Sequence, residues 1–308
     1  MGMQKPRPVT AAAKNRRSEN EVMGVRMRNP IGILAVAVVG ALVLAATQAV
    51  PTQAVANFKL VESGYLTAAT YGSSPPSTII EPGDVLGGLN GYLLNQFAQA
   101  HGLKVKLFQT DFASGLIAVQ QGKADIQLQL AYTPARSKTF YYTRAFWASQ
   151  VGVFTPSGFD YAGPDSLKGK RVGTITGYIW ADYIKQWCAS CLTLFPNNPA
   201  MATAFLNGQI DAYVGGEGGL RLAPIFPTNV HKVKFTPLRT GDFKFPADRV
   251  RDINYNVVSC SNAELAKAID ATLADLQSSG KWAKVMTDLK LVPANDTTNE
   301  PPPVQGCS

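Results

Sequence analysis

An α/β fold built on a mainly parallel sheet is predicted by three observations. Short apolar runs alternate with amphipathic stretches from Tyr65 to Leu289. Within Asp111–Arg136 the period changes from helical (Phe112, Leu116, Val119) to alternating (Ile126, Leu128, Leu130, interleaved with Gln127 and Gln129). Glycines such as Gly102 and Gly122 punctuate the changes. Strands that alternate with helices form βα units, and their ligands sit at the carboxyl ends of the strands.

Taken in order, the chain opens on a cationic arm. Residues 1–56 hold seven Lys/Arg and two acids, so the net charge of +8 falls to +3 beyond them. The apolar run Ile31–Val50 follows Arg26–Arg28, and Ala54-Val55-Ala56 fits a small-residue cleavage site. This predicts a cleaved signal peptide with Asn57 opening the mature chain. An uncleaved anchor at 31–50 is the alternative, because that run is long enough to span a bilayer.

Tyr65–Thr70 reads as a strand, Tyr71–Pro76 as a turn, Tyr92–His101 as a helix and Val105–Phe108 as a strand. Asp111 is placed to cap the next helix. After the Ile126–Leu130 strand, Thr133 followed by Pro134 signals an N-cap, with Arg136 one turn in. This corner suits a carboxylate or another small anion. Beyond Phe154 the pattern restarts with a strand at Val172–Ile175, a helix from Gly177 to Trp187 and a strand at Ile210–Val214 that runs into a glycine cluster around Glu217. Ile253–Ser259 is a further strand. Leu265, Ile269, Leu273 and Leu276 mark a strongly amphipathic helix, and a last helix reaches Leu289. Residues 292–308 are a Pro-rich tail.

Several function classes fall away. No basic run interleaved with aromatics survives beyond the arm, so nucleic acid is not an expected partner. His101 and His231 stand apart from each other and from the cysteines, so neither metal nor cofactor is expected. Export favours disulfides. Four cysteines allow three pairings, and Cys188–Cys191 with Cys260–Cys307 is the expected one, since the near pair can close locally. The near pair ends a helix rather than opening one, which argues against a redox-active dithiol.

The motifs between Ser63 and Leu289 resemble the family 3 solute-binding proteins of polar amino-acid ABC importers. Asp111-Phe112 with Leu116-Ile117 and Gly122-Lys123-Ala124-Asp125 is similar to that family's D-F-x-x-L-I…G-K-x-D run. Thr133-Pro134-Ala135-Arg136 is similar to T-P-E-R. Leu167 to Gly173 with Gly177 is similar to L-K-G-K-x-V-G-V-x-x-G, Gly208 to Ala212 to G-x-x-D-A, and Ser279 to Trp282 to D-G-x-x.

This resemblance implies a two-lobed periplasmic-binding-protein fold of type II, each lobe a mainly parallel sheet flanked by helices, joined by two hinge strands. By that pattern residues 57–152 and 257–291 form lobe 1, and 153–256 form lobe 2. Closure over one ligand by hinge rotation is the implied motion. Arg136 would clamp the ligand carboxylate, helped by Thr133, and Phe112 would pack on the ligand or serve as a core aromatic. Gln129 and Ala131 would lie near the ammonium, with Gly177, Tyr178 and Ile179 lining the cleft from lobe 2.

The chain departs from the family at three places. Ser74 and Ser77 stand where the family commonly has an aromatic, and Tyr178 and Ile179 replace a Ser/Thr. The acid that meets the ligand ammonium aligns with Gly216. Either Glu217 takes over that role, or the ligand is not an ordinary α-amino acid, because a buried ammonium without a carboxylate is costly.

The function expected is therefore a periplasmic, monomeric, non-enzymatic receptor that delivers a small carboxylate-bearing ligand, an amino acid or a relative, to a membrane ABC permease. A dehydratase-like enzyme on the same scaffold and a membrane-tethered sensory domain are the alternatives.

Overall fold

Residues 58–218, 230–291, 295–297 and 307 are described by a computed structural model. The leader expected over 1–56 lies outside them, as does most of the Pro-rich tail.

The first half of the fold is carried by three parallel strands. Strand β1 (Tyr65–Thr70) lies between β4 (Lys104–Gln109) and β5 (Ile126–Ala131). A hairpin of β2 (Ile79–Glu81) and β3 (Val85–Gly87) leads into helix α1 (Gly88–Ala100), and α2 (Phe112–Gln120) links β4 to β5. The one-turn helix α3 (Pro134–Ser137) and β6 (Phe140–Tyr142) follow. The second half repeats the plan, with β8 (Val172–Ile175) parallel to both β9 (Leu192–Phe195) and β10 (Ala212–Gly216). Here α4 (Ile179–Trp187) follows β8, and α5 (Asn198–Leu206) follows β9.

Two long strands cross between the halves. In β7 (Trp147–Pro156), Trp147–Gln150 pair with β12 (Arg251–Ser259), while Val151–Phe154 pair with β10. Strand β12 continues antiparallel to β5 and β6, and β11 (Val233–Pro237) flanks β7. The expected parallel sheets are thus each edged by antiparallel strands. A strand that leaves one sheet for the other arrives from the opposite direction, so its pairing reverses. The chain closes with α6 (Ala263–Ser278) and α7 (Lys281–Asp288).

Alternation along the strands divides the core. Leu66 and Ala68 face a cluster with Leu93 and Phe97 of α1, Leu265, Ile269 and Leu273 of α6, and Trp282 of α7. Ala69 faces the other way, into a cluster that runs from Phe112 and Val119 of α2 to Ile175, Met201 and Phe205. A third cluster holds Val151, Val153 and Val172 with Trp180 and Ile184 of α4.

Several family motifs act on the framework. Asp125 accepts the backbone N–H groups of Val61 and Thr67 at 2.8 and 2.7 Å, tying the chain entry to β1. Gly280, at φ 74°, permits the turn that inserts Trp282, whose indole N–H donates to Phe146 O at 3.1 Å. Both expected disulfides, Cys188–Cys191 and Cys260–Cys307, are formed. The described tail residues are docked: Thr297 is buried with its hydroxyl on Ala145 O, and the Cys307 N–H donates to Ser137 O.

Candidate functional site

The two halves meet at the carboxyl ends of β1, β5 and β8, and between them lies a cavity floored by the crossing strands. Tyr71, Ser74, Phe112, Gln129, Ala131 and Arg136 line it from the first half. Tyr178, Ile179, Trp180, Asn198 and Gly216 line it from the second, and β7 and β12 contribute Trp147, Ser149, Asp252 and Asn254. The space open to centres of water-sized spheres is about 30 Å³. One water needs roughly 10–15 Å³ on this measure, so the cavity has room for about two waters and for no larger molecule.

Local sequence positions Arg136. The Thr133 hydroxyl accepts the Arg136 backbone N–H at 3.1 Å, and Pro134 takes the first helical position. The expected helix is only four residues long. Its dipole is correspondingly small, so the anion-binding capacity of this corner rests on the guanidinium. That group donates to Ala131 O at 3.0 Å and, across the cavity, to Gly177 O at 2.6 Å. Burial lowers its pKa, with Arg249 acting in the same direction and Tyr142 opposing. An arginine stays charged regardless.

Aromatic rings fill the middle. Phe112 lies edge-on to Tyr71 and Tyr178, with centroids 5.1 and 5.0 Å away. The Tyr178 hydroxyl donates to Tyr71 Oη at 2.9 Å, and Tyr71 in turn donates to Gln129 Oε1 at 3.3 Å. Burial raises both tyrosine pKa values, so the hydroxyls stay neutral. Gly177 has φ +85°, and a Cβ there would lie 3.2 Å from Phe112 Cδ1. The dihedral therefore favours glycine at this position, and a side chain there would also press on the Phe112 ring.

Beneath the rings lies a polar network. Pairing of β12 with β5 shifts register between Tyr255 and Val257, and Gln129 adopts φ 59° there. This bulge frees the Gln129 N–H, which donates to Asn256 Oδ1 at 3.1 Å, while Asn256 Nδ2 donates to Asn90 Oδ1 at 2.8 Å. A non-glycine residue in the left-handed region is strained. The network holds it there and aims the Gln129 side chain at Tyr71 and Thr78.

The acid of the cavity is Asp252, on the crossing strand. Burial raises its pKa to about 6, moderated by a hydrogen bond from Asn254 Nδ2 at 3.1 Å and by the charge of Arg136. Three further polar atoms of lining residues are buried without a hydrogen-bond partner among the described residues: Trp147 Nε1, Ser149 Oγ and Trp180 Nε1. Buried polar groups are normally paired, so a polar ligand has partners ready here.

Of the residues singled out in the sequence, Phe112, Gln129, Ala131, Arg136, Tyr178 and Ile179 line this cavity. Thr133 and Gly177 stand at the adjoining mouth, which shares Arg136, Tyr178 and Ile179 with it. Glu217 does not face the cavity. It lies just past the end of β10, where the chain leaves the strand for a helical turn, and lines a separate pocket with Gln150, Pro237 and Arg251. Sequence reasoning passed over Tyr71, Trp147, Trp180, Asn198 and Asp252. A signal for Asp252 was present, since Asp252, Asn254 and Asn256 alternate with Ile253, Tyr255 and Val257, a polar stripe along a strand.

Among the described residues no cluster of three or more His, Cys, Asp or Glu could hold a metal, and no helix is long and apolar enough to cross a membrane. The family of bacterial extracellular solute-binding proteins, family 3, matches residues 66–288. No curated protein matches the sequence. Among solved structures, the substrate-binding protein of an amino acid ABC transporter shares the fold with TM-score 0.64 and 20% identity, over 73% of this chain and 99% of that one. An amino acid ABC transporter substrate-binding protein from Streptococcus pneumoniae, bound to L-arginine, gives 0.62 and 22%, over 73% and 94%. A histidine kinase sensor domain gives 0.62 and 18%, over 74% and 98%.

Proposed function

The chain belongs to the bacterial extracellular solute-binding proteins, family 3, and on that footing we propose that it is an exported receptor for a small carboxylate-bearing amino acid, which it hands to a membrane ABC importer. The two lobes of this reading are 57–152 with 257–291, and 153–256. The observation that carries it is the Arg136 guanidinium, which lines the cavity and is held by backbone carbonyls from both halves.

Binding follows from that geometry. Parting of the halves releases the Arg136–Gly177 and Tyr178–Tyr71 contacts, and the ligand carboxylate takes the place of the Gly177 carbonyl on the guanidinium. A carboxylate brings a full negative charge and two oxygens for a bidentate pair, which a neutral carbonyl cannot match. The crossing strands β7 and β12 supply the hinge, and reclosure buries the ligand against Phe112 and the tyrosines. The protein performs no chemistry on it.

A second reading as a membrane-tethered sensory domain draws on the fold shared with a histidine kinase sensor and on the apolar run 31–50. The mass of the exported protein separates the two, since a mature chain that retains 31–50 excludes a freely diffusing receptor.

The main test is a thermal-shift screen over amino acids and organic acids, repeated with Arg136→Ala. Stabilisation grows with free ligand concentration over Kd. We expect a subset of carboxylate-bearing compounds to raise Tm in the wild type and none to do so in the variant. Undiminished binding by Arg136→Ala refutes the site.

A further inference from the structure

Resting on the reading of a carboxylate-binding receptor, we propose that Asp252 is the acid that receives the ligand's ammonium, its carboxylate standing in the volume a side chain on Gly216 would fill, so that the site selects zwitterionic amino acids over carboxylates lacking an amine.

Gly216 faces Asp252 and Ser149 at close range. A Cβ built on it would lie 3.2 Å from Asp252 Oδ2 and 2.8 Å from Ser149 Oγ. Its φ is not in the left-handed region, so the backbone does not call for glycine there. Space does. Strand β10 pairs Gly216 with Val151 of β7, and β12 pairs Asp252 with Ser149 of the same strand. The two positions thus flank one strand, and the carboxylate of one reaches in front of the backbone of the other. An acid on Gly216 would set two carboxylates side by side, and one of them would have to stay protonated. Gly216 and Asp252 therefore read as a matched pair, with the acid moved from one strand to its neighbour across Ser149.

The surroundings fit an ammonium. Asp252 lines the same cavity as Arg136, so the site presents one cation and one anion. A zwitterion answers both. A simple carboxylate answers Arg136 and leaves the half-buried Asp252 without a counter-charge, which is the costly arrangement. An ammonium has three donors and needs three acceptors. The two Asp252 oxygens can supply two of them, and the Ser149 hydroxyl, itself buried and without a partner among the described residues, the third. Asn254 donates to Asp252 through its side-chain amide, which orients the carboxylate while leaving acceptor capacity. The rise in Asp252 pKa on burial agrees with a carboxylate held for a cation that arrives with the ligand.

The test uses the mature protein and the twenty standard L-amino acids, each paired with its deaminated carboxylic acid, by calorimetry. In the wild type we expect an amino acid to bind and its deaminated acid to bind far more weakly. Asp252→Asn is expected to weaken the amino acid by at least about 30-fold, as for loss of one partner of a buried charge pair, and to leave the deaminated acid equal or tighter. Retained binding of the acid also shows that the variant is folded. The double variant Asp252→Ala with Gly216→Asp is expected to recover part of the amino-acid preference.

The assignment is overturned if Asp252→Asn keeps the wild-type preference. It is equally overturned if Glu217→Gln loses the preference while Asp252→Asn does not, or if the wild type binds a deaminated acid as well as its amino acid. In those cases the carboxylate receptor stands. Wild-type protein that binds neither class overturns the receptor reading itself, and the assignment with it.

Discussion

Replacing Asp252 with Asn is expected to stabilise the ligand-free protein at neutral pH. The carboxylate has a folded-state pKa of about 6, raised from 3.8, with burial as the dominant cause. A group whose pKa rises on folding holds its proton more tightly in the folded state. Stability therefore falls as pH climbs from about 4 to about 6, and the full cost persists above that window. The displacement corresponds to ~3 kcal/mol, and because Asp252 is only half-buried, solvent screening brings the realised figure to about 1–3 kcal/mol. The attraction to Arg136 is already contained in that pKa. Asn has nearly the same shape and no charge to desolvate. Urea unfolding at pH 8 should show Asp252→Asn more stable by about 1–3 kcal/mol, or roughly 2–10 °C in Tm for a chain of this size. At pH 4 the difference should vanish, because both forms are then neutral. A variant that is destabilised at pH 8, or that gains as much at pH 4, refutes the argument. The same change should impair amino-acid binding, so stability and function would move in opposite directions.

Gly177→Ala should cost about 1–2 kcal/mol in urea unfolding, through its positive φ and the approach to Phe112, and should weaken ligand binding, since Gly177 O anchors Arg136. Removing Cys260–Cys307, which spans 47 residues, should lower stability by about 4 kcal/mol on the loop-entropy scale. Removing Cys188–Cys191, which spans 3 residues, should cost only about 2 kcal/mol on that scale, and denaturant titrations of the two double-alanine variants rank them. Tyr71→Phe breaks the hydroxyl chain from Tyr178 to Gln129 and should cost about 1 kcal/mol by the same assay.

Local signals were the legible ones. The Asp111 side chain caps α2 through Ser114 N, and Thr133 caps α3 through the Arg136 N–H, as their residue types and positions indicated. The amphipathic face of α6 is buried at Leu265, Ile269, Leu273 and Leu276. The start of α1 was missed by four residues, because its first turn is Gly-rich and its N–H groups bond to the preceding Pro76–Ser77 turn. That interaction comes from the hairpin fold-back and has no periodic trace.

By itself the sequence determined the alternation of strands and helices, the caps of α2 and α3 and the place of the cation at Arg136 one turn into α3. Each of these depends on neighbours along the chain, where capping, periodicity and spacing are written directly. The acid was a different matter. Counting along one strand led from Gly216 to Glu217, whereas the carboxylate in front of Gly216 belongs to Asp252, on a strand 36 positions away. Only the crossing of β7 and β12 decides that, because a side chain's place in a cleft depends on which strand lies beside it, and a neighbouring strand can fill the space a glycine leaves.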